Sequence, residues 1–234
     1  MPALPITRAT VTGRTVRAPR RLGGMAAAAL LLIAAGCALP PPSPAAAPGA
    51  FVEPPAGTVT RFSRSGTGSL AGGPTDFEWT HGRQRWEGRE VYAAVSPQLG
   101  SQLHDPTAYT LLATLAPDGA PRFRYDPPVG YRFPLEVGQT WNASTTLSAP
   151  GRPALPLALR FEVQAQEEVV VPAGRFPTYR VRIQNSLGEM ETVWTAPALG
   201  LGVVRRTVER PPTHPAGAGR LETVLVARTL PTAR

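Results

Sequence analysis

From Thr58 onward the chain is written in short runs of period two, rich in Val, Thr, Tyr, Phe and Trp and separated by Gly, Pro and Asp clusters. Successive side chains of a strand point to opposite faces, so such runs bury one face and wet the other. Tyr179 to Asn185 shows the pattern well, with Val181 and Ile183 alternating with Arg180, Arg182 and Gln184. About ten such runs without a convincing amphipathic helix predict an all-β, antiparallel fold: a strongly curved sheet, a partly closed barrel or a sandwich.

The expected strands begin with Thr58 to Ser65, followed by a hairpin of Asp76 to Thr80 and Arg85 to Val95 that turns at His81-Gly82. Tyr109 to Leu115 and Arg122 to Tyr125 flank Asp118-Gly119, which supplies the positive φ of a tight turn. Thr140 to Ser148, Leu157 to Val171, Tyr179 to Asn185, Glu189 to Thr195, Gly202 to Arg210 and Leu221 to Thr229 follow. The long run to Val171 is expected to bend or bulge near Gln164 to Glu168, and Ser96 to His104 reads as a short helix or loop.

The N-terminal part obeys different rules. Arg8, Arg14, Arg17, Arg20 and Arg21 precede Met25 to Ala35, an apolar segment too short to span a bilayer but of signal-peptide length. Ala34, Ala35 and Gly36 are small enough to admit a peptidase, and the only cysteine, Cys37, follows them. This arrangement resembles bacterial lipoproteins, with Ala34 where the lipobox usually has Leu. The resemblance implies a diacylglyceryl thioether on Cys37, and Ala38 in place of Asp favours the outer membrane. The expected organisation is a signal peptide over 1–36, a lipidated Cys and Pro/Ala-rich linker over 37–57, and one β domain over 58–234. The linker holds seven prolines, so it should be extended and unpaired, a spacer of roughly 60 Å at about 3.1 Å per residue.

The formal charge of +8 invites a nucleic-acid reading, but five of the 24 basic residues precede Cys37 and none of the 16 acids does. The remainder carries 19 basic against 16 acidic residues, a formal +3. All the basic residues are Arg, which makes Arg a habit of the whole chain rather than a mark of phosphate recognition. No nucleic-acid partner is expected. With Cys37 consumed by lipid, no thiol remains for a disulfide, a nucleophile or a metal.

A spaced set of residues in the second half resembles a group of bacterial envelope proteins with a β-rich domain of unknown function. The matches are Pro134, Leu135, Gly138 and Trp141 (PLxxGxxW); Val171 to Gly174 with Phe176 (VPAGxF); and Trp194, Pro197, Leu199, Gly200 and Leu201 (WxxPxLGL) with Val203. The resemblance implies fold and compartment and brings no catalytic residues.

No reaction is named by the remaining residues. His81, His104 and His214 fall in separate expected loops without an HExxH pattern, and no GxSxG or SxxK occurs. Gly66 to Gly73, GTGSLAGG, lacks the Walker lysine and reads as a hairpin loop. Glu189 and Glu191 could share a face, read as solvated and opposite Trp194. Neither a catalytic residue, a metal nor a cofactor is expected. Trp141, Phe161, Tyr179 and Trp194 are the candidate lining of a hydrophobic-ligand cavity, weighed against an ordinary packed core. The functional expectation is a non-enzymatic binding or assembly module of the envelope, anchored to the membrane by its N-terminal lipid and docking an envelope protein through a strand edge or apolar patch. A carrier of a lipid or other hydrophobic ligand and an envelope hydrolase are the alternatives.

Overall fold

The computed structural model describes residues 49–232. Twelve strands run β1 (Val59–Gly68), β2 (Asp76–Trp86), β3 (Arg89–Ser96), β4 (Gly100–His104), β5 (Leu111–Leu115), β6 (Pro121–Val129), β7 (Thr140–Ser148), β8 (Leu155–Val171), β9 (Gly174–Asn185), β10 (Met190–Ala196), β11 (Leu201–Arg210) and β12 (Gly219–Thr229). Each pairs with its sequence neighbour, and β1 pairs antiparallel with β12, so the sheet closes into an up-and-down barrel. The only helix among the described residues is a 3-10 turn at Pro197–Leu199. The all-β expectation holds, with closure complete. Closure leaves only short stretches of free edge among the described residues, such as β1 beyond Ser63 and β7 before Thr146, so edge docking has little template.

Several boundaries differ from the sequence reading for local reasons. The chain runs straight through His81-Gly82 and turns at Glu87-Gly88, which hold φ of 49° and 79°. Two successive positive φ values match the twist of a two-residue hairpin, and Gly supplies one at no steric cost. Ser96 to His104 is neither helix nor loop throughout: Ser96 Oγ accepts hydrogen bonds from the Gln98 and Leu99 amides, and β4 begins at Gly100. The bend expected in β8 is a register shift between Val163 and Ala165.

Alternation sets the two faces. Phe62, Phe77, Val204 and Leu225 pack on the inner face of β1, β2, β11 and β12. Leu135, Trp141, Phe161, Val163, Tyr179 and Val181 form a second cluster on β7, β8 and β9. A third cluster, centred on Val91, Ala93, Leu103 and Ala113, occupies the opposite face of β3–β5.

An eight-stranded barrel is just filled by its own side chains, and diameter grows roughly linearly with strand number. Twelve strands therefore enclose more space than the inner clusters occupy. What the inner face leaves unfilled is the site.

Candidate functional site

A cavity of about 400 Å³ lies inside the barrel. Its lining changes character along the barrel axis. Toward the end where the β4–β5, β6–β7 and β10–β11 connections lie, it is aromatic and apolar, with Phe51, Tyr109, Tyr131, Phe133 and Leu201. Phe62, Phe77 and Trp79 line the middle. Toward the β1–β2, β9–β10 and β11–β12 turns stand Arg64, Glu189, Arg206 and Arg210.

Register explains how the cations meet. Arg64 of β1 and Arg206 of β11 both stand opposite Thr223 of the intervening β12, so all three share one inner row. Arg206 forms two hydrogen bonds to Glu191, Nε to Oε1 at 2.7 Å and Nη2 to Oε2 at 2.8 Å. Burial disfavours the Arg206 charge, but Glu191, helped by Tyr131 and Glu189, keeps its pKa above the usual value. Arg210 donates to Glu189 at 2.5 Å. Glu189 and Glu191 thus share a face as expected, but it is the inner one, each held by a guanidinium rather than solvated. Trp194 points the other way.

Two histidines line the same cavity instead of standing in exposed loops. His81, in β2, is hydrogen-bonded through Nε2 to Thr60 Oγ1 at 2.8 Å and through Nδ1 to Tyr92 Oη at 2.7 Å. A neutral ring, donating at one nitrogen and accepting at the other, satisfies both. Burial, and then the charge of Arg228, pushes its pKa down to about 4. His104, at the end of β4, is pushed down to about 4 by burial and then by His81. No carboxylate acts on either ring, so neither is poised as a base paired with Glu189 or Glu191. His214 lies in the β11–β12 turn, where its Nδ1 accepts a hydrogen bond from the Ala216 amide. Among the described residues, no group of three or more His, Cys, Asp or Glu is placed to hold a metal ion.

The apolar end is crossed by residues 49–57, the described part of the expected spacer. It is not unpaired. Val52 N donates to Pro197 O at 2.9 Å, Gly57 N to His81 O at 2.8 Å, and Leu135 N to Gly49 O at 2.9 Å. Phe51 packs between Tyr109 and Phe133, with ring centroids 4.1 and 5.3 Å away. Glu53 accepts from Arg83 Nη2 at 2.8 Å and from Tyr109 Oη at 3.1 Å, and the Arg83 hydrogen bonds hold its carboxyl below the usual range. A Cβ on Gly200, whose φ is 67°, would lie 2.6 Å from Val52 O, so the strap can pass only because that residue is Gly. The WxxPxLGL residues therefore build the seat of the strap, and Leu135 of PLxxGxxW anchors its start.

The four aromatic residues expected to line a cavity are placed apart from this one. Trp141 and Phe161 stack at 4.8 Å and, with Tyr179, belong to the packed cluster of β7–β9. Trp194 is on the outer face, where its Nε1 donates to Glu167 at 2.7 Å and Arg205 lies over its ring at 5.1 Å. None of the four is among the residues that line the cavity. Cys37, the signal segment and the first part of the linker lie outside the described residues.

No protein-family model matches the chain, and no curated protein matches it. Among solved structures it is similar to a protein named as exported, with a YmcC-like fold, from Bacteroides fragilis: 12% identity, TM-score 0.43, covering 77% of this chain and 99% of that one. A protein named as a lipoprotein from Parabacteroides distasonis shares 13% identity over 78% of this chain and 100% of its own, with a TM-score of 0.40. The lipoprotein YmcC of Escherichia coli shares 13% identity over 76% and 85%, also at 0.40. These values are too low to carry residue roles from those proteins to this chain.

The residues that do line the cavity carried one usable signal. Phe62 and Phe77 are apolar members of alternating runs, so parity alone places Thr60, Arg64, Trp79 and His81 on the same face. Glu189 and Arg210 gave none, since turn-flanking charges are normally solvated.

Proposed function

We propose that this protein is an envelope lipoprotein, anchored through Cys37 in the outer membrane and facing the periplasm, whose barrel binds a hydrophobic ligand without transforming it. The cavity of about 400 Å³, within the range of small-molecule pockets and lined mainly by aromatic and aliphatic side chains, carries this reading. Barrel closure favours it over assembly through a strand edge, because each strand has a paired neighbour on both sides over part of its length and the edges left unpaired are short. Hydrolysis is disfavoured by the same groups that would have to perform it, since both inner carboxylates are tied to guanidinium groups and both histidines, with pKa pushed down to about 4 and no carboxylate acting on them, are weak bases.

The test is to purify the lipid-anchored protein and Ala94→Phe, which places a ring at a cavity-lining position, and to identify extractable lipids by mass spectrometry. The wild-type protein is expected to retain a specific apolar molecule that the variant, folded with an unchanged circular dichroism spectrum, does not. Equal recovery from both would reject the cavity as the binding site.

A further inference from the structure

We propose that the cavity takes a single-chain amphiphile with an anionic head, a carboxylate or a phosphate monoester, with the head on Arg64 and the chain along the aromatic lining. This rests on the reading of the barrel as a hydrophobic-ligand site and specifies the ligand class for it.

The charges of the cavity do not balance. Arg206 faces Glu191 and Arg210 faces Glu189, whereas Arg64 has no ion pair and no side-chain hydrogen bond among the described residues. Its Nε is buried and unpartnered. Burial, and then the nearby Arg206, lowers its pKa. Arg64 is only partly withdrawn from water, but its buried Nε has no acceptor, and an anion at the guanidinium would supply one. With His81 and His104 neutral near pH 7, the lining residues Arg64, Arg206, Arg210 and Glu189, with Glu191 on Arg206, leave one positive charge at this end of the lumen. Arg228, which acts on His81 from outside the lining and also lacks an ion pair among the described residues, adds a further positive charge. A neutral ligand would leave that charge uncompensated, and a cationic one would add to it. One negative head with an apolar chain fits both parts.

The wall beside Arg64 suits a head group. Pairing of β1 with β2 stops at Ser63↔Asp76, although β1 continues against β12 to Gly68↔Gly219. Beyond Ser63 the barrel is completed by the turn at residues 69–75 rather than by a strand. That turn contains the end of the Gly-rich stretch, and a Cβ added at Gly73 would lie 2.8 Å from Arg64 Nη1. Glycine there lets backbone approach the guanidinium, so a head on Arg64 sits at a break in strand pairing while its chain points toward Phe62, Phe77 and Trp79.

Trp79 makes the test direct, because a nitroxide on a bound acyl chain quenches it. The full chain is reconstituted in uncharged phosphatidylcholine nanodiscs and titrated with nitroxide-labelled stearate or its methyl ester. Affinities are corrected for partition into empty discs, and Trp79→Phe serves as the blank. Stearate is expected to bind at least about tenfold more tightly than the ester, the scale of one charge-assisted hydrogen bond. Arg64→Gln should bring the acid to the level of the ester and leave the ester unchanged, while Arg64→Lys, which keeps the charge, should preserve most of the preference. Displacement by dodecyl phosphate more tightly than by laurate would assign a phosphate head, and the reverse order a carboxylate. Equal binding of acid and ester to the wild-type protein would overturn the anionic-head inference while leaving the hydrophobic-ligand reading intact. Failure of both to quench Trp79 would overturn that reading and the inference with it.

Discussion

His81 and His104 show how the barrel interior imposes protonation states on single residues. Both rings are pushed from an ordinary 6.5 down to about 4, chiefly by burial, so the folded protein holds them neutral. Between about pH 6.5 and 4 the unfolded chain binds more protons than the folded one, and stability must fall as pH drops through that window and level off below it. Chemical denaturation at pH 7 and pH 4.5 should show a loss on the order of 5 kcal/mol, and His81→Gln with His104→Gln should remove most of that difference. An unchanged pH dependence in the double variant would mean that the rings are hydrated. Neither position was legible from sequence as an interior one. His81 precedes a glycine and so imitates a turn, and only its parity with Phe77 argues otherwise. Trp194 misled in the opposite sense: a large aromatic beside a buried-looking motif packs outward here, because Glu167 and Arg205 satisfy its polar edge and its face.

At the scale of elements, β7 could be read from the chain because its alternation is unbroken. The bulge of β8 could be read because the alternation from Leu157 to Val163 lapses before Glu167-Glu168 in a run too long for one regular strand, with flanking Pro and Gly as turn formers. The strap could not. Residues 49–57 share the composition of a solvated Pro/Ala spacer, and only Phe51, Val52 and Glu53 interrupt it. Phe51 and Glu53 find Tyr109, Phe133 and Arg83, groups distant in sequence that no local pattern reveals. The strap should be a separately removable element, since its attachments are a few backbone hydrogen bonds, the packing of Phe51 between Tyr109 and Phe133, and the contacts of Glu53 with Arg83 and Tyr109. Phe51→Ala is expected to speed hydrogen exchange at the Val52 and Gly57 amides by at least about tenfold, a local loss of roughly 1.4 kcal/mol, with little change in β8 and β9. Uniform acceleration throughout the barrel would show instead that strap and barrel open as one unit.

For the whole molecule, tether and barrel pose a joint question. Twelve strands close around a lumen that a smaller barrel would fill, and packing alone closes it, because the sole cysteine, Cys37, lies in sequence before the barrel begins. Because the strap is seated by Gly49, the chain between it and Cys37 can extend no more than roughly 40 Å, less than a free twenty-residue spacer would allow. A lipid on Cys37 would therefore keep the apolar end of the barrel near a bilayer, where an acyl ligand is available. Mass spectrometry of the mature N-terminal peptide should find Cys37 as the first residue, carrying acyl groups. Cys37→Ala should abolish labelling by a palmitate analogue and shift the processed chain out of the membrane fraction, with the melting transition of the barrel unchanged. An unmodified N-terminus at another position, or full membrane retention of a processed Cys37→Ala chain, would remove the tether from the mechanism and leave the cavity to be explained as that of a free periplasmic binder.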